Sequence, residues 1–255
     1  MKNEIDRDDH VYTYLAFKED QDARTRGENP DYHPVILNER QSKYLPEFGD
    51  NIIKGMMKYI TSDSVMFEYG SGGSTFYFPK FVKKFYSVEF ITKFYEKIEY
   101  ELKENFSYDN VYYYCKEPNQ FAGDKVLDAY LSDITDSDYQ RLKEKYPHHT
   151  EHTIKRYWQF RDHVDFIYSI KPEKIDVALV DGRARGMCAT RVAEFMDENG
   201  VIFIDDFMDR HNEYFGPTEQ EDFYKMFEHV ETLHDDSDPL GRRGSARMIV
   251  LRKKS

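Results

Sequence analysis

The sequence predicts an α/β protein built on a doubly wound, mostly parallel sheet of seven strands. From residue 64 onward, apolar runs of strand length alternate with segments of helical periodicity. The run at 175–182 is almost continuously apolar, which is typical of a parallel strand covered by helices on both faces. The last two runs, 229–235 and 246–253, have no helical pattern between them and predict a closing antiparallel pair.

Composition excludes several classes of protein. The chain has 255 residues and enough apolar and aromatic material for a sizeable core, so it is not a disordered protein. No apolar run approaches ~18 residues, so we expect no membrane span. The first residues are charged and lack the apolar segment of a secretory signal, and the 2 cysteines cannot form a disulfide framework. These features predict a cytoplasmic protein.

The net charge of −12 bears on partners. Broad binding to nucleic acid needs a positive surface, which an acidic chain of this kind does not offer in general. We therefore expect a small-molecule or glycan partner rather than nucleic acid or a membrane. The sequence leaves open whether the chain forms a homo-oligomer.

The chain is expected to divide into an N-terminal extension and one catalytic domain. Residues 1–60 are interpreted as a polar loop followed by a helix over 36–60, where apolar residues recur at mostly helical spacing. Residues 61–255 then form the α/β domain. Within it, 118–160 is polar and too long for a simple crossover, which predicts an inserted helical cap.

The elements of the domain follow in order. A strand over 64–70 ends in glycines, and a short helix with Ser74 or Thr75 as N-cap should be shortened or kinked by Pro79. The next predicted elements are a strand at 84–90, a helix at 91–104, a strand at 110–117, the strand at 175–182, a helix at 183–200 that ends at Gly200, and a strand at 200–207.

The sharpest motif is EYGSGGST, residues 68–75, at the end of the first strand. Its glycines permit a tight turn that brings backbone amides close to a ligand. A phosphate-binding P-loop requires a Lys that is absent here, and a dinucleotide fingerprint requires a glycine where Thr75 stands. The acidic Glu68 instead suits S-adenosylmethionine (SAM), whose sulfonium and amino group are cationic. A glycine-rich turn without any ligand is the remaining alternative.

A second acid strengthens the SAM interpretation. Glu89 stands at the end of the second predicted strand, in the segment SVEF. An acidic side chain about 20 residues after such a glycine turn can accept both hydroxyls of a ribose.

Four motifs in order, EYGSGGST, SVE, DVALVDGRAR and GVIFIDDF, resemble those of class I SAM-dependent methyltransferases. The resemblance implies a Rossmann-like fold and covers about 64–207. It implies that the turn lines the methionine and ribose of the cofactor, that Glu68 faces the amino acid end, that Glu89 binds the ribose and that Asp181 lies beside the reactive methyl. The residues it assigns to the turn are Gly70, Ser71, Gly72, Gly73, Ser74 and Thr75. The sequence departs from the family at Ser74, where a third glycine is common, and at Phe90, where this branch often has His.

Acids also mark the acceptor side. Asp181, Asp205 and Asp206 follow two strands predicted to be neighbours, and open α/β sheets place ligands at that edge. Three carboxylates suit Mg²⁺, as in metal-dependent O-methyltransferases. The alternative is that these acids cap helices or bind the substrate directly. His211 is a candidate general base in the following loop, where a solvent-facing role is the alternative.

Two arginines complete the predicted site. Arg183 and Arg185 could hold an anionic group of the substrate, or form salt bridges with nearby acids. Analogy with related enzymes favours O-methylation of a sugar or glycan hydroxyl. The alternatives are methylation of a phenolic or other small molecule, an aminopropyltransferase-like reaction, an NAD-dependent oxidoreductase and a non-catalytic SAM-binding module.

Overall fold

A computed structural model describes residues 44–46, 48, 50–119, 134–205, 225–235 and 246–254 of the protein. Its strands in chain order are β1 (Val65–Tyr69), β2 (Lys84–Glu89), β3 (Val111–Cys115), β4 (Ile175–Val180), β5 (Met196–Asp205), β6 (Phe227–Asp235) and β7 (Ala246–Lys253).

The described helices flank these strands. In chain order they are α1 (Asp50–Met56), α2 (Gly73–Tyr77), a 3₁₀ turn (Phe78–Phe81), α3 (Thr92–Asn105), α4 (Asp136–Lys145), α5 (Glu151–Val164), α6 (Ile167–Ile170) and α7 (Arg185–Val192). Among the described helices, none is long and apolar enough to cross a membrane.

All seven strands belong to one mixed sheet, in the order β3-β2-β1-β4-β5-β7-β6. The pairs β1–β2, β1–β4, β2–β3 and β4–β5 are parallel. Strand β7 is inserted antiparallel between β5 and β6. The predicted doubly wound α/β sheet with an antiparallel C-terminal pair is therefore confirmed.

The core has two parts, one on each face of the sheet, because successive residues of a strand point to opposite faces. On one face, Phe67 and Val88 belong to a cluster that also contains Tyr157 and Phe160 of α5. On the other face, neighbouring strand residues pack with α1 and with the α2 region, through Ile52, Met56, Tyr77 and Phe78. The helices on both faces explain why the central strands are apolar throughout.

The predicted division of the chain remains a prediction. Residues 1–43 lie outside the described part, and the helix expected over 36–60 is seen only as the short α1. Of the expected cap, residues 134–160 contain α4 and most of α5, whereas 120–133 lie outside the described residues. Helix α5 packs on the sheet through Ile154, Tyr157 and Phe160.

The helix predicted over 183–200 is too long. Helix α7 ends at Val192, and β5 begins at Met196 and pairs with β4 from there. Gly200 is not a helix cap, because it lies within β5, where a Cβ on it would be 3.1 Å from the Asp176 carbonyl oxygen of β4. The glycine therefore allows close approach of two strands.

The helix after the glycine turn also differs in its start. Its N-cap is Gly72 rather than Ser74 or Thr75, because both hydroxyls are used by a buried carboxylate described below. The expected effect of Pro79 is confirmed, since α2 gives way to a 3₁₀ turn that contains this proline.

Candidate active site

The glycine turn lies where the ends of two central strands approach most closely. Gly70 has a φ of +88°, a conformation that L side chains rarely adopt. A Cβ on Gly70 would lie 2.4 Å from the carbonyl oxygen of Asp181. The Asp181 amide in turn donates to the Tyr69 carbonyl at 2.9 Å. The absence of a side chain at Gly70 thus allows the carboxyl ends of β1 and β4 to approach each other closely.

The other two glycines of the turn have opposite surroundings. A Cβ on Gly72 would meet nothing within 4 Å, so the turn faces open space there. A Cβ on Gly73 would lie 1.6 Å from the Leu45 carbonyl oxygen, so the segment that precedes α1 covers that side. The open side at Gly72 is the one that a ligand could fill.

The buried carboxylate of Glu68 is hydrogen-bonded to residues that follow the glycine turn. Glu68 is 0% exposed and accepts hydrogen bonds from three hydroxyls: Ser74, Thr75 at 2.7 Å and Ser87 at 2.7 Å. Thr75 also accepts from the Gly72 amide at 3.0 Å. We call these four residues, Glu68, Ser74, Thr75 and Ser87, the hydroxyl cluster. Its contacts connect Glu68 to the turn itself.

The charge state of Glu68 is unusual. Burial raises the pKa of its carboxyl to about 7, although hydrogen bonds from Ser74, Ser87 and Thr75 act in the opposite direction. The nearby carboxylate of Glu89 raises the pKa further. Glu68 therefore exchanges its proton near neutral pH.

Glu89 lies beside the turn and is 2% exposed. One of its carboxylate oxygens accepts from the amides of Phe90 and Ile91, each at 2.8 Å. The other accepts from the Ser71 amide at 3.0 Å and the Ser71 hydroxyl at 2.7 Å. The carboxylate is thus oriented by three backbone amides and directly joined to the glycine turn.

On the acceptor side, the structure brings Asp181 and Asp205 together at the ends of β4 and β5. Arg185 links them: its Nε donates to the Gly182 carbonyl at 2.9 Å, one Nη donates to the Asp205 carbonyl, and the other lies 3.4 Å from Asp181 Oδ1. These contacts include a salt bridge from Arg185 to Asp181, and binding of a substrate anion by Arg185 stays a prediction.

The remaining predicted site residues are less defined. Asp206 and His211 lie outside the described residues, and Arg183 is half-buried. Within the described part of the chain, no group of three or more His, Cys, Asp or Glu side chains could hold a metal ion. Since one of the three proposed ligands is not described, the Mg²⁺ site stays a prediction.

Tyr113 was missed at the sequence level. Its hydroxyl lies 2.7 Å from the Ser71 hydroxyl, next to Glu89. Pairing across the parallel strands aligns Glu68 with Ser87 and Ser87 with Tyr113, so these polar residues form one row across β1, β2 and β3. The signal that could have found this tyrosine is the strand register, which the sequence alone does not reveal.

No known family of proteins and no curated protein matches this sequence. Solved structures do match. The chain is similar to a methyltransferase-like protein from Silicibacter pomeroyi, with 17% identity over 83% of this chain and 91% of that one and a TM-score of 0.51. It is also similar to a Streptococcus mutans protein in complex with S-adenosylhomocysteine (SAH), with 11% identity over 81% of this chain and 99% of that one and a TM-score of 0.49. A third similar structure is an N-methyltransferase from Bradyrhizobium japonicum, with 10% identity over 88% of this chain and 99% of that one and a TM-score of 0.46. At 17% identity, the likeness to the S. pomeroyi protein shows that this chain has its Rossmann-like fold.

Proposed function

We propose that this protein is a SAM-dependent O-methyltransferase that methylates a hydroxyl of a small polar acceptor, with a sugar or glycan favoured. The observation that carries the proposal is the connection between the glycine turn and Glu89. The Glu89 carboxylate is hydrogen-bonded to Ser71 of the turn at the carboxyl edge of the sheet. The same turn faces open space at Gly72.

The residues present fit SAM. The Glu89 carboxylate can accept hydroxyl protons of a ribose once the Ser71 hydroxyl rotates away, and the space at Gly72 lies on the exposed side of the same turn. When bound, SAM supplies a methyl group on a positively charged sulfur, a good electrophile. Glu89, Asp181 and Asp205 give this edge an acidic character that suits a cationic ligand.

Two features favour SAM over a dinucleotide. Dinucleotide-binding sheets have the order 3-2-1-4-5-6, whereas here antiparallel β7 separates β5 from β6. The third glycine of a dinucleotide fingerprint permits close packing of helix on strand. Thr75 stands there instead, 0% exposed, with its hydroxyl bonded to Glu68.

Asp181 is the described residue best placed to manage the acceptor proton. Its side chain is 31% exposed at the open edge, and Arg185 offsets its negative charge from 3.4 Å. In the proposed reaction a carboxylate oxygen of Asp181 would take the proton of the acceptor hydroxyl, and the oxygen would take the methyl group from the sulfur of SAM, which would leave as SAH. Arg185 acts on Asp181 and on the end of β5, so we assign it a positioning role. His211 stays a second candidate base on sequence grounds.

Methyl transfer from labelled SAM tests the proposal. The protein is incubated with nucleotide sugars, free glycans, catechols, small amines and tRNA, and label is followed in each product. We expect transfer to a sugar hydroxyl. Transfer only to a catechol, amine or tRNA would overturn the acceptor class. Failure to label any acceptor, with intact SAM binding, would favour the non-catalytic module.

The same assay separates metal-dependent from metal-free transfer. If Asp181, Asp205 and Asp206 hold Mg²⁺, EDTA abolishes transfer and added Mg²⁺ restores it. Unchanged activity after EDTA treatment would contradict the Mg²⁺ prediction and leave proton transfer to Asp181 as the simpler mechanism. Asp181→Asn should lower the rate in either case, with Asp176→Asn, at the opposite end of β4, as the matched control.

A further inference from the structure

Three groups form a continuous chain of hydrogen bonds: Ser71 follows β1, Glu89 ends β2, and Tyr113 is the middle residue of β3. The Tyr113 hydroxyl lies 2.7 Å from Ser71 Oγ, and Ser71 Oγ donates to Glu89 Oε2 at 2.7 Å. All three belong to the edge where the proposed cofactor binds. The direction of the bonds decides what the tyrosine can do there.

The number of protons on each group determines which group donates in each of these hydrogen bonds. A serine hydroxyl has one proton, and an ionised carboxylate can only accept. Since Ser71 gives its proton to Glu89, it must accept in its contact with Tyr113. The tyrosine is therefore the donor, and the chain runs from Tyr113 through Ser71 to Glu89.

Glu89 has no unused acceptor position in this arrangement. Each carboxylate oxygen offers about two lone-pair sites. The amides of Phe90 and Ile91 fill one oxygen, and the amide and hydroxyl of Ser71 fill the other. Of these four donors, only the Ser71 hydroxyl can leave by a side-chain rotation, because the amides are fixed in the backbone.

The Ser71 hydroxyl thus stands in for a hydroxyl of the ligand: it donates to Glu89 and accepts from Tyr113. We propose that Tyr113 is a ribose-recognition residue, whose hydroxyl donates to the ribose hydroxyl that replaces Ser71 Oγ on Glu89. This inference rests on the proposed function, because it assigns the ligand of the same site. In this arrangement the ribose would contact two side chains, the Tyr113 hydroxyl of β3 as a donor and the Glu89 carboxylate of β2 as an acceptor.

The surroundings of Tyr113 hold it in place for this role. Its ring packs against Tyr95 of α3 at 4.7 Å between centroids, and Tyr95 is itself bonded to Glu99 at 2.8 Å. Tyr112 differs: it is 40% exposed and stacks on Tyr86. Because adjacent residues of a strand face opposite sides of the sheet, Tyr112 offers a matched control from the same strand.

The test compares SAH with its 2′-deoxy and 3′-deoxy analogues by isothermal titration calorimetry on the full chain. Tyr113→Phe removes one oxygen and keeps the ring on Tyr95, so the variant should fold as the wild type does, which thermal unfolding checks. We expect Tyr113→Phe to bind SAH about 5- to 30-fold more weakly, the effect of one lost hydrogen bond. For one of the deoxy analogues, the variant and the wild type should bind equally. Tyr112→Phe should match the wild type with all three ligands.

Two results would overturn the assignment of Tyr113 alone. One is equal SAH affinity in wild type and Tyr113→Phe. The other is an equal loss with SAH and with both deoxy analogues, which would indicate a structural role for the tyrosine. If the wild type binds neither SAH nor SAM, the proposed function itself fails, and the assignment of Tyr113 fails with it.

Discussion

Two buried charged clusters in this fold are stabilised in opposite ways. In the hydroxyl cluster, Glu68 accepts from three hydroxyls, and no cation pairs with it among the described residues. In the second, which we call the arginine cluster, Arg191 of α7 binds Asp165 at 2.5 Å, Glu194 at 3.2 Å and the hydroxyls of Tyr146 and Tyr157. The arginine side chain there is 3% exposed.

The two clusters are expected to have different roles: the arginine cluster stabilises the fold, and the hydroxyl cluster affects the candidate site. The arginine cluster joins α7 to the region of α4 and α5 on one face of the sheet, through ion pairs between one arginine and two carboxylates. The hydroxyl cluster lies under the glycine turn, and its carboxyl exchanges a proton near pH 7. We therefore expect changes in the first cluster to alter unfolding and changes in the second to alter pH dependence and cofactor affinity.

The largest expected effect is on the arginine cluster. Arg191→Leu leaves Asp165 without its cation and removes the hydrogen bonds that Arg191 donates to the hydroxyls of Tyr146 and Tyr157. Since the buried guanidinium donates to both a carboxylate and phenolic oxygens, we expect its loss to cost about 3 kcal/mol or more of unfolding free energy, which urea denaturation measures. Glu194→Gln is the control: its side chain is 46% exposed, so the loss should stay below about 1 kcal/mol. Equal losses in the two variants would contradict the central role of Arg191.

The second effect is the pH dependence of unfolding that comes from Glu68. Because its folded pKa is raised from 4.5 to about 7, the folded state holds more protons than the unfolded state between these values. Stability should therefore fall as the pH rises from about 4.5 to about 7, by on the order of 3 kcal/mol, and then level off. Glu68→Gln should lack this component. Superimposable pH profiles for wild type and variant would show that Glu68 titrates normally.

A smaller effect concerns cofactor affinity. Ionised Glu68 accepts from all three hydroxyls, whereas the protonated form must donate its own proton and loses one of those bonds. The glycine turn is then less firmly held. We expect SAH to bind about three- to tenfold more tightly at pH 8 than at pH 6 in the wild type, and equally in Glu68→Gln. The idea would be wrong if the wild type shows no change over this pH range.

The smallest effect is expected at Ser71. If a ribose hydroxyl replaces the serine hydroxyl on Glu89, Ser71→Ala removes a group that the ligand displaces in any case. SAH affinity should then change by less than about threefold by calorimetry, because the Ser71 amide is retained. A loss of more than about tenfold would mean that the serine hydroxyl itself binds the cofactor.

Much of this fold could be predicted from the sequence because its signals are local. Apolar runs such as 175–182 identify strands, and the glycines at 70, 72 and 73 identify the turn. Asp181 and Asp205 could be placed together because the carboxyl ends of neighbouring parallel strands meet at one edge. The placement of Glu89 beside the turn follows from the same rule.

Contacts that depend on register or on tertiary packing could not be predicted. The role of Glu68 toward a ligand stays a prediction, and its alignment with Ser87 in a polar row across the sheet could not be read from the motif. Likewise, the sequence around Gly200 resembles a helix end, and it does not reveal that this glycine lies close to the backbone of β4. The 3.4 Å ion pair between Arg185 and Asp181 also depends on packing that the sequence does not show.

The most direct test of a SAM-binding site is calorimetric titration of wild type and Glu89→Ala with SAH, with NAD as the comparison ligand. We predict saturable binding of SAH to the wild type, SAH binding weakened at least about tenfold in Glu89→Ala, and no binding of NAD. Unchanged SAH affinity in Glu89→Ala, or binding of NAD in place of SAH, would contradict the assignment of this edge of the sheet to SAM.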